Sequence, residues 1–220
     1  MPSQNLFDLI RTQVWINFLL SDLKISADEL ELILHPYRAQ PTRTVARWAK
    51  GESVANKTSV RLINAKYPQA KKIYELSIWD LMDCRRKTFN ALCSSKTQSK
   101  ILVDKATESY EGKEFLGALY ALREAEFRGR DYIHYKQMEH CLRMFPYYFS
   151  KEIFKAYIRD LATLLYRCAH SMPSTESRIR PDYESICRYT EYIDLYDHTQ
   201  PEGTFELLMD FDKPFYRKQH

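Results

Sequence analysis

Apolar residues recur at intervals of three and four along most of this chain, and runs that alternate with period two are few. Period two builds strands, whereas three-and-four spacing builds helices with one buried face. The clearest stripe is Ile153, Phe154, Tyr157, Ile158, Leu161, Leu164 and Leu165, within a helix expected over about 150–170. Glycine is scarce, with five in 220 residues, and 14% of the residues are aromatic. That composition excludes a low-complexity chain and a chain disordered throughout. The expected fold class is all-α.

Helix signals divide the chain. Residues 5–20 carry Leu6, Leu9, Ile10, Val14, Ile16 and Leu20 and read as one helix. Ser26 followed three positions later by Glu29 has the spacing of a capping box, so a second helix starts there; Leu30, Leu32, Ile33 and Leu34 follow, and Pro36 ends it. A connector with Pro36 and Pro41 leads to a short helix at 42–50, stopped by Gly51. Further helices are expected at 57–67, with Pro68 interrupting, and at 73–82, anchored by Trp79. Residues 85–100 are polar and basic, and they place a boundary between an N-terminal module, 1–84, and a C-terminal multi-helix domain, 85–220. Helices are expected in the latter at about 98–110, 112–128, 131–144, 150–170 and 182–197, with one apolar turn after Gly203.

Charge is unevenly spread. Residues 36–72 hold nine cations and a single anion, Glu52, for a net +8, while the whole chain nets only +4. A basic module is therefore joined to a slightly acidic remainder. Concentrated positive charge suits a phosphate backbone, whose condensed counterions are released on binding.

The basic segment is patterned. Thr44-Val45-Ala46-Arg47-Trp48-Ala49-Lys50-Gly51 is followed by a spacer and then by Val60, Ile63 and Tyr67, which stand 9, 12 and 16 positions after the glycine. This resembles the second half of the phage-repressor (Xre-like) helix-turn-helix, in which the recognition helix ends in a Trp-x-x-Gly turn. Ile25-Ser26-Ala27-Asp28-Glu29-Leu30 is similar to the opening of the helix before it. The likeness spans residues 25–67, and a connector from His35 to Thr42 replaces the family's tight turn. It implies an N-terminal helix-turn-helix module that binds double-stranded DNA.

The residues agree with that implication. Val45 and Trp48 are three apart and would anchor the helix. Arg43, Arg47 and Lys50 are spaced by four and three and would share the opposite face, fit for a major groove. Thr42 and Thr44 could meet a phosphate or a thymine methyl. Lys57 and Arg61, one turn apart in the next helix, could clamp the DNA backbone.

Other chemistry is not signalled. No phosphate-cradling glycine motif and no nucleophile elbow occurs, so the chain is not read as an enzyme and no cofactor is implied. The five cysteines, Cys84, Cys93, Cys141, Cys168 and Cys187, form no C-x-x-C pair, and the histidines lack ligand spacing; no metal site and no disulfide framework are expected. The longest uncharged run, residues 12–21, is ten residues, about half a membrane span. A soluble, cytoplasmic protein is the expectation.

Sixteen tyrosines are many for this length. Tyr147-Tyr148-Phe149 and the helically spaced Tyr189, Tyr192 and Tyr196 would serve a core, or a surface for a homodimer or protein partner. DNA binding through residues 42–50 is thus the leading reading. The alternative is a helical protein–protein interaction module that does not read DNA.

Overall fold

The computed structural model describes residues 6–37, 40–84, 110–149 and 151–170, and all regular structure among them is helical. The chain divides into two compact units, Met1–Ala106 and Thr107–His220. The basic stretch at 85–100 lies outside the described residues, together with most of the helix expected at 98–110, the helix expected at 182–197 and the apolar turn after Gly203.

The first unit is built on α1 (Leu6–Leu23), which buries Phe7, Ile10, Val14, Trp15, Ile16 and Leu19. The capping box forms as its spacing foretells: the Glu29 amide donates to the Ser26 hydroxyl, and the Ser26 amide donates back to the Glu29 carboxylate, opening α2 (Ala27–Leu34). Only one face of α2 points inward, with Leu30 and Glu31 buried, whereas Leu32 and Ile33 are exposed at 38% and 41%. Then come α3 (Thr44–Ala49) and α4 (Lys57–Lys66).

Trp15, Leu19, Leu30, Val45, Trp48, Val60 and Ile63 share one hydrophobic cluster, with Tyr67 packed against its edge. The apolar positions read from the spacing after Gly51 therefore do face the core. Two side-chain bonds tie α1 to this layer. The Trp15 indole donates to Asn64 Oδ1 at 3.1 Å, and the Asn17 amide donates to the Ala49 carbonyl at 2.9 Å.

The helix expected at 73–82 is two shorter ones, α5 (Pro68–Tyr74) and α6 (Ser77–Leu81). Pro68 does interrupt the chain after α4, and it also starts α5, where its missing N–H is not needed. The break at Leu76, which is extended, lets the Trp79 indole donate to the Ile73 carbonyl at 2.8 Å. Arg11 seals this corner, donating to the Tyr74 carbonyl from Nε at 2.9 Å, with its guanidinium over the Tyr74 ring.

Gly51 ends α3 with φ +71. Its amide donates to the Trp48 carbonyl at 3.1 Å, and the Glu52 amide donates to the Arg47 carbonyl at 2.9 Å, the paired bonds of a Schellman stop. A Cβ here would stand 2.8 Å from Gln13 Oε1, the far end of a flexible side chain, so the left-handed backbone sets most of the cost. Gly51→Ala is expected to destabilise the unit by about 1–2 kcal/mol. Urea unfolding followed by tryptophan fluorescence checks this cleanly, because the three tryptophans, Trp15, Trp48 and Trp79, all belong to this unit.

In the second unit α7 (Tyr110–Phe127) and α8 (Asp131–Phe149) pack as a hairpin around Gly129, whose φ is +62. Helix α8 runs beyond the expected end at 144 and contains Pro146. A proline inside a helix forfeits one backbone bond. Burial of Phe145, Tyr148 and Phe149 around Phe115 and Phe154 offsets that loss. Tyr148 and Phe149 are thus core residues. The helix expected at 150–170 is broken into α9 (Glu152–Lys155) and α10 (Ile158–Ala169), which turns Leu161, Leu164 and Leu165 inward. Cys141 and Cys168 are buried and in no disulfide, and burial pushes the Cys141 thiol up.

Candidate nucleic-acid interface

Helix α3 has only six residues and needs tertiary support to exist. It gets that support on its inner side, where Val45 and Trp48 are 1% and 4% exposed. Arg47 and Lys50 are left exposed on its outer side. The helix is shorter than the expected 42–50, and Arg43 precedes it as the N-cap residue, with φ 60 and ψ 19. Arg43 is therefore exposed and next to the helix, but its direction is set by a left-handed backbone rather than by helical spacing. Arg47 has one anionic neighbour, Glu52 at 4.0 Å, and both side chains are more than half exposed, so water and salt weaken the pair.

Lys57 and Arg61 occupy successive turns at the start of α4, both exposed. Asn56 caps that helix, its Oδ1 accepting from the Ser59 amide at 2.8 Å. No acidic residue stands in the first turn of α4. Between the end of α2, α3 and the start of α4 lies a cleft of about 430 Å³, lined by Leu34, His35, Thr44, Trp48, Ser59 and Leu62 among others.

Thr42 and Thr44 are engaged within the protein. The amides of Thr42 and Thr44 donate to the Glu31 carboxylate at 3.1 and 3.0 Å. The Thr42 hydroxyl also donates to Glu31, and it lies 2.8 Å from the Thr44 hydroxyl. The one Thr42 hydroxyl hydrogen goes to Glu31, so Thr44 is the donor within the threonine pair. Sequence reasoning passed over Glu31, which is only 1% exposed. The readable signal was its place on the inward face of α2, in line with Ala27, Leu30 and Leu34, where an ionisable group needs partners.

Burial pushes the Glu31 carboxyl up, but the bonds from the Thr42 hydroxyl and from the amides of Thr42, Val45 and Thr44 outweigh it, and its pKa lies below the ordinary value. The lower value belongs to the folded state. Ionised Glu31 therefore contributes stability that is complete above the unfolded carboxyl range near ~4.3 and fades as pH falls through the folded value. Glu31→Gln is expected to cost about 1.5–3 kcal/mol at neutral pH. The gap between wild type and variant should narrow once pH drops below ~4.3; urea unfolding at a series of pH values measures it.

Among the described residues no group of three metal-ligating side chains occurs, and no helix is long and apolar enough to cross a membrane. No family model, curated protein or solved structure matches the chain.

Proposed function

We propose that the N-terminal unit binds double-stranded DNA, with α3 as the reading helix. The observation that carries this reading is an exposed set of five cations, Arg43, Arg47, Lys50, Lys57 and Arg61, on and around two short helices whose apolar sides are buried in one cluster. Arg47 and Lys50 supply groove or phosphate contacts, Arg43 adds one from the helix start, and Lys57 and Arg61 hold the backbone. Lys57 sits at the positive end of the α4 dipole with no acid in its turn, a placement that favours an anion such as phosphate. The main-chain amides of Thr42 and Thr44 already serve Glu31, so the two threonines contribute chiefly by shaping the entry to α3. Transcription control by a regulatory or mobile-element factor is the setting that fits such a module.

Arg47→Ala tests whether bases are read. The expected result is a loss of about 1–3 kcal/mol on the preferred duplex with relaxed sequence preference. Equal loss on every duplex would leave a non-specific phosphate contact only.

A second reading, a helical protein–protein interaction module, is favoured by exposed apolar side chains on the same unit. Leu32, Ile33 and Leu62 are 38%, 41% and 47% exposed, and Tyr37 is fully exposed. Recovery of one stoichiometric protein partner, unchanged by nuclease treatment, would favour that reading over DNA binding.

A further inference from the structure

We infer that Glu31 is the positioning residue of the DNA-binding face, holding Arg43 in the left-handed backbone from which its side chain is presented. This rests on the DNA reading above. Three backbone amides, those of Thr42 before Arg43 and of Thr44 and Val45 after it, converge on one carboxylate. Arg43, with φ 60, lies between the two clamped threonines. A non-glycine residue adopts that conformation only where its surroundings impose it.

The surroundings here are identifiable. Upstream, the Thr42 amide and hydroxyl are fixed on Glu31; downstream, the Thr44 amide is fixed on the other carboxylate oxygen. The Thr42 and Thr44 hydroxyls, 2.8 Å apart, close the loop over the Arg43 backbone. Arg47 and Lys50 stand further along α3, where Val45, Trp48, the Asn17 bond to the Ala49 carbonyl and the Gly51 stop hold the helix. Loss of the Glu31 charge should thus release Arg43 and leave the other cations in place.

A double-mutant cycle on duplex affinity of the full chain separates this role from a general loss of structure. Glu31→Gln is expected to weaken binding about fivefold in the wild-type background and in Lys57→Ala, and to have no further effect in Arg43→Ala. Thr42→Val, which keeps the carboxylate and removes one donor, should act in the same direction with a smaller loss. Hydrogen exchange supplies a readout that needs no DNA: in Glu31→Gln the Thr44 and Val45 amides should exchange about tenfold faster through local opening, whereas the core Ile63 amide should change only by the global loss of stability that urea unfolding measures. An equal effect of Glu31→Gln in the Arg43→Ala and Lys57→Ala backgrounds would overturn the proposal, as would unchanged exchange at Thr44 and Val45. If the wild-type chain binds no duplex, the DNA reading falls and Arg43's role with it, whereas accelerated exchange would still establish the clamp itself.

Discussion

Trp48→Ala is expected to destabilise the N-terminal unit by about 3–5 kcal/mol, the range for emptying a buried tryptophan site. Trp48 is 4% exposed and belongs to the cluster that includes Trp15, Leu19, Leu30 and Ile63. It is also one of only two buried side chains by which the six-residue α3 is held down. The loss is a large share of the 5–15 kcal/mol that ordinarily separates folded from unfolded domains. Urea unfolding read from Trp15 and Trp79 fluorescence measures it. Trp48→Phe keeps an aromatic ring in the site and should lose well under half as much. A loss below about 1 kcal/mol for the alanine variant would mean that α3 is anchored by something other than its tryptophan.

Removing the cations of this helix should leave the fold intact and weaken binding. Arg43, Arg47 and Lys50 are all exposed, and among the described residues Arg47 alone has a charged neighbour near 4 Å, itself exposed. Exposed side chains contribute little to stability, so Arg43→Ala/Arg47→Ala/Lys50→Ala should unfold within about 1 kcal/mol of wild type. On duplex DNA each lost contact is worth about 1 kcal/mol or more, so the triple variant should bind about a hundredfold more weakly at low salt. Its affinity should also depend less on salt, the slope falling by about 2.7 if all three meet phosphates. Retained affinity in a folded triple variant would move any DNA contact away from α3.

Helix existence was legible in the sequence wherever local signals act alone. The capping box at Ser26 and Glu29 and the glycine stop at Gly51 are decided within a few residues, and both form. The spacing of Val60 and Ile63 likewise foretold their burial. What escaped the sequence was set by partners far along the chain. Residues 42–50 have an unbroken helical pattern, yet α3 starts at Thr44, because Glu31 captures amides 11 to 13 positions downstream. Glu31 itself falls in line with Ala27 and Leu34 on the inward face of α2, a signal that it needs partners but not of which partners they are. The breaks after Tyr74 and after Lys155 carry no glycine or proline; tertiary packing of Trp79 and Phe154 decides them. The helix expected at 131–144 runs longer, since the aromatic neighbours of Pro146 keep α8 helical through it. For the candidate site, the five cations and their exposure were legible, whereas the left-handed setting of Arg43 and the clamp on Thr42 and Thr44 were not.

The most direct measurement is affinity of the full wild-type chain for a random-sequence duplex across a salt series. Five cations in contact with phosphates would give a linear fall of log K with log salt, with a slope near −4.5, at about 0.9 per phosphate. That slope, reduced in the triple variant, is the result DNA binding through α3 and α4 requires. No binding at low salt by a chain whose tryptophans report a folded unit would contradict it.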